Sequence, residues 1–284
     1  MTDRSASPRF ALNHMTVPGL DMAGLFGLAR RLGMDEVEIR NDLSENGSPA
    51  KGDIRAVPAG EARRLAREAG VTIISINALQ RFNAWTPERA AEAVELADYA
   101  RESGARALVL VPVNDGTGQA DGERQRNLRE ALTALKPILA ERGLTGLVEP
   151  LGFEICSLRS KREAAEAIAY VAGENVFRLV HDTFHHTLAG EDAFFPGLTG
   201  LVHISGVADP ALAYPEMRDA HRVLVDERDR LGNAGQIRTL LEGGYDGPLS
   251  FEPFAQEVHD FQEPEREIAA SMVFIRHAFE KAAA

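Results

Sequence analysis

The sequence is poor in cysteine and contains no long apolar run. Its single cysteine, Cys156, excludes an internal disulfide and is compatible with a reducing compartment. The longest apolar run, ALVLVPV at 107–113, is far too short to span a bilayer. The N-terminal residues MTDRSASPRF contain no apolar segment of the kind that a secretory signal needs. We therefore expect a cytoplasmic protein without a membrane partner.

Positive charge is also scarce in this chain. Its 284 residues include 31 Lys and Arg against 43 Asp and Glu, which gives a formal net charge of −12. Proteins that grip a phosphate backbone normally carry excess positive charge, so nucleic acid is not an expected partner. Neither GxGxxG nor GxxxxGK[ST] follows an apolar run, which excludes the usual nucleotide-binding motifs.

Short apolar runs rich in β-branched residues recur along the chain and predict eight strands. These runs lie at 10–17, 35–42, 71–78, 107–113, 146–151, 177–184, 201–207 and 248–254. Between them, apolar residues follow helical spacing, most clearly at 59–70, 86–104, 160–173 and 265–284. Thr86 and Ser160 are the expected N-caps of two of these helices, and Gly104 and Gly173 are their expected stops.

Strands that alternate with helices indicate parallel βαβ units. Eight is the number of strands that closes a (β/α)8 TIM barrel, whereas an open doubly wound sheet more often has five or six. No linker composition marks a second domain, so we predict one barrel domain over 1–284. The segments 41–58 and 205–235 are predicted as long loops on the C-terminal face, where barrels hold their active sites.

Each of the last four predicted strands carries a metal-competent side chain at or near the C-terminal end of its apolar run. These residues are Glu149, Asp182, His203 and Glu252. Side chains alternate across a strand, so each of these residues shares a face with the residue two positions before it, which would place all four at the mouth of the barrel. Those preceding residues are Leu147, Val180, Leu201 and Ser250. Two glutamates, an aspartate and a histidine suit Mn²⁺, Co²⁺, Mg²⁺ or Zn²⁺. One acidic residue at a strand end is usually solvated, but four in succession predict a site for one divalent metal ion.

Other polar residues near strand ends are candidates for substrate binding. His185 lies three residues past Asp182 and is expected to reach over the barrel mouth. His14, in the first strand, and Asn77, at the end of the third, could donate hydrogen bonds to a hydroxylated substrate. Trp85 could cover the site or pack against the rim. His181 has the opposite parity to Asp182 and is expected to face a surrounding helix.

The motifs HDTFH (181–185), HISG (203–206) and SFEPF (250–254), together with Glu149, resemble the xylose isomerase-like sugar isomerase/epimerase superfamily. Within it, the chain is most similar to the 2-keto-myo-inositol isomerases (inosose isomerases) of bacterial inositol catabolism. The resemblance implies a (β/α)8 barrel with one divalent metal, Mn²⁺ being favoured, held by the same four residues, and a substrate contact from His185. It also implies a homo-oligomer, since barrels of this superfamily are often dimers or tetramers.

The resemblance also implies a substrate-binding arginine after strand seven, followed by a Pro-Gly turn. This chain has DERDRLGNAG there, with Leu231 in place of the proline, so either Arg228 or Arg230 is the expected match.

Isomerisation of a keto-sugar or polyol removes a proton from the carbon next to the carbonyl group, which gives an enediolate. A proton is then returned to the neighbouring atom. A metal can stabilise the enediolate charge, and Glu149 and Glu252 are our candidates for base and acid. The expected activity is isomerisation of a keto-inositol. Alternatives are a ketose 3-epimerase, a hydroxypyruvate isomerase, a dehydroshikimate dehydratase, an endonuclease IV-like hydrolase, which the net charge of −12 disfavours, and a non-catalytic sugar-binding barrel.

Overall fold

The computed structural model describes residues 8–280, in which eight parallel strands close into a barrel. Each strand pairs with the next in chain order, and β8 pairs with β1. The strands are β1 (Phe10–Asn13), β2 (Glu36–Arg40), β3 (Thr72–Gln80), β4 (Ala107–Val111), β5 (Thr145–Val148), β6 (Phe177–Asp182), β7 (Thr199–Ile204) and β8 (Leu249–Phe251). The predicted (β/α)8 barrel is confirmed.

Helices connect the strands and surround the barrel. They are α1 (Met22–Arg31), α2 (Ala59–Ala69), α3 (Pro87–Ser103), α4 (Glu123–Ala140), α5 (Lys161–Tyr170), α6 (Thr183–Ala189), α7 (Asn233–Glu242), α8 (Gln256–His259) and α9 (Pro264–Glu280). The four helices predicted from sequence correspond to α2, α3, α5 and α9, and residues 281–284 of the last prediction lie outside the described residues. Among residues 8–280, no helix is both long and apolar enough to cross a membrane.

Two of the predicted helix boundaries show how local chemistry sets them. The Thr86 side chain accepts a hydrogen bond from the Arg89 backbone N–H, and Gly104 ends α3 in the left-handed conformation, as predicted. By contrast, α5 ends at Tyr170 and the residue with positive φ is Ala172 rather than Gly173. A Cβ on Gly173 would lie 2.7 Å from Phe177, so that glycine permits a close approach rather than a left-handed turn.

The apolar core around and inside the barrel strands has two layers, as a filled barrel requires. The larger lies between the strands and the helices and includes Phe26, Ile39 and Phe251. The smaller fills the barrel itself with residues such as Val109 and Leu201. Nearer the C-terminal ends of the strands, the side chains inside the barrel are polar rather than apolar.

The two predicted long loops follow β2 and β7. The first contains a small hairpin of two-residue strands, Ser44–Glu45 and Ser48–Pro49. The second contains two 3₁₀ turns, Tyr214–Glu216 and Asp219–His221, and is tied to itself by a bridge between Gly206 and Val223. Both loops start from the end of the barrel where parallel strands present their carboxyl termini.

Candidate metal centre

Four metal-competent side chains meet at the C-terminal end of the barrel. Glu149 directly follows β5, Asp182 ends β6, His203 lies near the end of β7, and Glu252 directly follows β8. One ligand atom from each residue lies within 4.8 Å of the others. All four residues are buried. The structure therefore brings together the ring of side chains that the strand ends predicted.

The strand register explains why these side chains are neighbours. Asp182 pairs directly with His203 across β6 and β7, and His203 pairs with Ser250 across β7 and β8. Glu252 lies two residues beyond Ser250 and therefore on the same side of its strand. The barrel thus brings residues that are far apart in the sequence into one cluster.

The predicted side of each strand on which these side chains lie is also confirmed. Leu147, Val180 and Leu201, each two residues before a member of the cluster, pack together inside the barrel. His181 points the other way, toward the helices. Its Nε2 lies 2.8 Å from the Gln236 side-chain oxygen, and its ring stacks on Phe194. His181 is therefore a packing residue, as expected from its position.

A buried guanidinium ties two of the carboxylates together. Arg222, which is 1% exposed, donates from Nη2 to Asp182 Oδ2 at 2.6 Å and to Glu252 Oε2 at 3.0 Å. Its Nε donates to Ser205 Oγ at 3.0 Å. The same guanidinium lies over the ring of Phe254, 4.6 Å from the centroid. These contacts fix the orientation of both carboxylates.

A second guanidinium holds the other oxygen of Glu252. Arg40 Nη1 donates to Glu252 Oε1 at 2.7 Å, and its Nε and Nη2 form a bidentate pair with Asp42 at 2.7 and 2.8 Å. Asn13 Nδ2 also donates to Glu252 Oε1, at 3.2 Å. Glu252 is therefore held on both oxygens, whereas Glu149 has one side-chain contact, to His203 Nδ1 at 3.0 Å.

Burial and neighbouring charges shift the pKa values of this cluster in opposite directions. Burial raises the pKa of Glu149, and His203 only partly offsets that effect. For Glu252, burial also acts upward, but His203, Arg222 and Arg40 outweigh it and hold the pKa well below its usual value. Burial would lower the pKa of His203, yet Glu252, Glu38 and Glu149 raise it well above its usual value.

A further carboxylate, Glu38 of β2, lies inside the barrel on the other side of the His203 ring. Its Oε2 is 3.2 Å from His203 Nε2. Neutral side chains donate to both of its oxygens: Ser75 at 2.5 Å and Asn77 at 2.7 Å to Oε2, and Asn13 at 3.2 Å and Ser250 to Oε1. Glu38 is fully buried and is connected to the cluster through His203 and Asn13.

A cavity of about 320 Å³ opens above the cluster. Glu149 and Glu252 line it, together with Asn77, His185 and Phe254. Its other lining residues are Arg40, Asp42, Gln80, Arg81, Val111, Pro112, Asn114, Leu151, Phe153, Asp219 and Arg222. A concave site of this size with converging polar groups is typical of small-molecule binding.

His185 reaches the cavity from the first turn of α6, which begins at Thr183 within the segment 177–184 that was predicted as a strand. Asp182 caps this helix, since its Oδ1 accepts a hydrogen bond from the His185 backbone N–H at 2.9 Å. The Gly152 backbone N–H donates to His185 Nδ1 at 3.2 Å. An accepting Nδ1 leaves the ring proton on Nε2, so His185 is a donor toward the cavity.

Four other residues predicted to bind substrate do not line the cavity. His14 is fully buried and lies 2.9 Å from the Leu20 carbonyl oxygen, and Trp85 packs against the core outside the barrel. Arg228 is exposed and pairs with Asp226. The Arg230 guanidinium binds the backbone carbonyls of Asp209 and Leu212. The arginine of this loop that lines the cavity is Arg222, whereas the predicted Arg228 and Arg230 lie away from it.

The sequence carried signals for the residues that were missed. In the β2 segment EVEIR, Val37 and Ile39 pack in the outer core, which leaves Glu38 and Arg40 to point into the barrel. Such alternation normally indicates a solvated face, but both faces of a barrel strand are buried. Arg222 directly precedes the apolar run VLV, an indication that this part of the loop is buried.

The residues present fit a divalent cation. Three carboxylates and one imidazole form a set of mostly oxygen donors with one nitrogen, which suits Mg²⁺, Mn²⁺, Co²⁺ or Zn²⁺. Buried negative charge is costly unless positive charge balances it. Arg40 and Arg222 are shared with Asp42 and Asp219, so they balance only part of it. The cluster could therefore hold a metal ion.

Comparison with known families decides the classification. Residues 26–278 match the family described as xylose isomerase-like TIM barrel. The chain belongs to this family. Sugar isomerases and epimerases are members of the superfamily. No curated protein was found to match the chain.

Several solved structures share this xylose isomerase-like fold. A xylose isomerase domain-containing protein from Salmonella typhimurium LT2 is 33% identical with a TM-score of 0.84, covering 98% of each chain. The IolI protein, solved with a bound zinc atom, is 19% identical with a TM-score of 0.82, over 95% of this chain and 99% of that chain. The D-allulose 3-epimerase from Methylomonas sp., solved with D-allulose, is 18% identical with a TM-score of 0.67, over 98% and 96%.

Proposed function

We propose that this protein is a divalent-metal-dependent isomerase that acts on an uncharged keto-polyol, with a keto-inositol (inosose) as substrate. The observation that carries the proposal is the buried cluster of Glu149, Asp182, His203 and Glu252 at the base of a polar cavity. A metal centre that shares a cavity with two glutamates is suited to moving a proton next to a carbonyl group.

The side chain of Glu252 is held by more contacts than that of Glu149, and this suggests different roles for the two residues. A bound cation would act as a Lewis acid that stabilises negative charge developing on the substrate oxygens. Arg40 and Arg222 fix the orientation of the Glu252 carboxylate and keep it ionised. Glu149 has one side-chain contact, to His203, and lines the cavity, so it can move to take a proton from the substrate carbon. Glu149 is the main acid–base group in this scheme, and Glu252 is its partner across the site.

The charge of the cavity favours an uncharged substrate. The three arginines that line it are each paired with carboxylates: Arg40 with Asp42 and Glu252, Arg222 with Asp182, Glu252 and Asp219, and Arg81 with Asp115. A carboxylate substrate would have to compete with these partners. Keto-inositols and ketohexoses therefore fit the site better than hydroxypyruvate or dehydroshikimate.

Three polar residues are proposed to bind substrate hydroxyl groups. His185 and Asn77 line the cavity from α6 and β3, and both carry side-chain donors. Arg222 takes the role that was predicted for Arg228 or Arg230, because it is the arginine of the β7–α7 loop that reaches the cavity. The apolar wall formed by Leu151, Phe153 and other residues would cover the carbon skeleton of a polyol.

The similarity of the sequence motifs to inosose isomerases supports a keto-inositol as the first choice of substrate. The related fold of a D-allulose 3-epimerase makes ketohexoses the second choice. Mn²⁺ is our first choice of metal, and the zinc atom in the IolI structure makes Zn²⁺ the second. The single domain over 1–284, the cytoplasmic location, the homo-oligomer and the absence of a nucleic-acid partner stay predictions.

Proton NMR in D₂O tests the activity. Chelator-treated protein would be loaded with Mn²⁺ or Zn²⁺ and, after removal of free metal, incubated with 2-keto-myo-inositol, D-allulose, hydroxypyruvate or 3-dehydroshikimate. We expect metal-dependent conversion of 2-keto-myo-inositol to an isomeric inosose, with deuterium next to the carbonyl group. Conversion of D-allulose alone would move the assignment to a ketose epimerase. Conversion of neither uncharged ketone by metal-loaded protein would contradict the proposed activity.

Replacement of Glu149 tests the role of that carboxylate. Glu149→Gln should lower kcat by about 10² to 10⁴-fold, the usual contribution of a positioned acid–base group. Glu154→Gln is the matched control, because Glu154 is an exposed carboxylate in the same loop and does not line the cavity. Equal activity in the two variants would exclude Glu149 as the proton-transfer group.

A further inference from the structure

The two ring nitrogens of His203 face different carboxylates. Nδ1 lies 3.0 Å from Glu149 Oε1 and 3.1 Å from Glu252 Oε2, whereas Nε2 lies 3.2 Å from Glu38. The ring is fully buried, so neither nitrogen is exposed to solvent. The geometry therefore divides the ring into one nitrogen that faces the metal cluster and one that faces Glu38 alone.

An imidazole binds a metal through a nitrogen that carries no proton, and its other nitrogen then carries the ring proton. That N–H is normally held by a carboxylate or carbonyl, which fixes the tautomer and the orientation of the ring. Glu38 is placed to accept this proton from Nε2 of His203. The Nδ1 lone pair is then directed toward Glu149 and Glu252.

Glu38 is itself held rigidly by side chains from three other strands. Asn13 comes from β1, Ser75 and Asn77 from β3, and Ser250 from β8. These neutral donors orient both oxygens of Glu38 without neutralising its charge. Glu38 is also absent from the lining of the cavity, so a direct contact with substrate is not its role.

We propose that Glu38 is the positioning residue of the metal centre: it holds His203 as the Nε2–H tautomer so that Nδ1 binds the metal. The inference rests on the proposed metal site and extends it to a residue that touches neither metal nor substrate. Its consequence is that a single carboxylate inside the barrel sets both the affinity of the site and the ligand atom that His203 uses.

Calorimetric titration of chelator-treated protein with Mn²⁺ and with Zn²⁺ tests this role. Glu38→Gln keeps the shape of the side chain and removes its charge. We expect its metal affinity to fall by about 10 to 100-fold, the usual effect of removing such a partner. Asp53→Asn is the matched control, since Asp53 is also a fully buried carboxylate but is bound to Arg55 and does not line the cavity. Asp53→Asn should bind metal as the wild type does.

A spectroscopic measurement separates positioning from a simple loss of negative charge, and it can be made on the wild type even if Glu38→Gln does not fold. In the Zn²⁺-loaded wild type, nitrogen-15 NMR of the histidines should show His203 with a hydrogen-bonded proton on Nε2 and zinc on Nδ1. The signal can be assigned by its loss in His203→Gln. Zinc on Nε2 of His203 would overturn the inference.

The outcomes for the two proposals are distinct. A wild type that binds neither metal would overturn both the metal site and the role of Glu38. A wild type that binds metal, with Glu38→Gln within twofold of it in affinity, would leave the metal site intact and overturn the role of Glu38.

Discussion

At the scale of single residues, His14 shows how a histidine near the site is used for structure. Its Nε2 lies 2.9 Å from the Leu20 carbonyl oxygen, and its ring packs against Gly52, where a Cβ would come within 2.2 Å of the ring. The ring is fully buried, and burial lowers the pKa of His14 from 6.5 to about 4. The native state therefore holds this histidine neutral at pH values where the unfolded chain binds a proton.

This difference predicts a pH dependence of stability. Between pH 6.5 and about 4 the unfolded chain carries a proton on His14 that the native protein does not, so the free energy of unfolding falls as the pH is lowered. The contribution from this residue is up to about 3 kcal/mol. His14→Gln can keep a donor to Leu20 and cannot titrate. A plot of its free energy of unfolding against pH, obtained from denaturant titrations, should therefore lack the part of the slope that His14 contributes. Identical slopes in the two proteins would contradict the assignment.

Residues at strand ends could be predicted from the sequence, whereas charged residues inside strands could not. Glu149 and Glu252 each follow a short apolar run, and that position is visible in the sequence. Glu38 and Arg40 alternate with apolar residues, a pattern shared by any half-solvated strand. Only closure of the barrel, which buries both faces of β2, shows that these charges face inward.

At the scale of elements, the loop between β7 and α7 is held to the barrel by Arg222. This guanidinium binds Asp182 of β6 and Glu252 after β8, and it has partners within its own loop in Ser205 and Asp219. Removing it would leave buried carboxylates without a partner. We expect Arg222→Met to lower the free energy of unfolding of the metal-free protein by about 3–5 kcal/mol, measured by denaturant titration.

Arg228→Met is the control for this loop. Arg228 belongs to the same loop but is exposed and pairs with Asp226, so its removal should change stability by less than about 0.5 kcal/mol. Similar losses for the two variants would mean that Arg222 does not anchor the loop to the barrel.

The eight strands of the barrel and four of the nine helices among the described residues were predicted from the sequence, because caps and periodicity are local signals. Thr86 and Ser160 begin α3 and α5 where the sequence placed them. The end of α5 was missed because Ala172, not glycine, adopts the left-handed turn. The predicted strand 177–184 extends two residues too far, because Asp182 is both the last residue of β6 and the cap of α6.

At the scale of the whole molecule, the closed barrel is what makes the site. Each strand contributes few polar residues at its end, and the circular order of β1 to β8 places those from β5 to β8 side by side. The count of eight strands was sufficient to predict this arrangement, since parallel strands joined by helices present their carboxyl ends on one face. The cavity, its lining and the paired arginines depend on loop conformations that the strand count does not fix.

The measurement that tests the account most directly is the binding of a divalent metal to chelator-treated protein by calorimetry, with Mn²⁺ and with Zn²⁺. We predict one ion per chain in the wild type, an affinity at least about 10-fold lower in His203→Gln, which loses a ligand, and no change in His277→Gln, which alters an exposed histidine on α9. No binding by the wild type, or equal binding by the two variants, would contradict a metal centre at the mouth of this barrel.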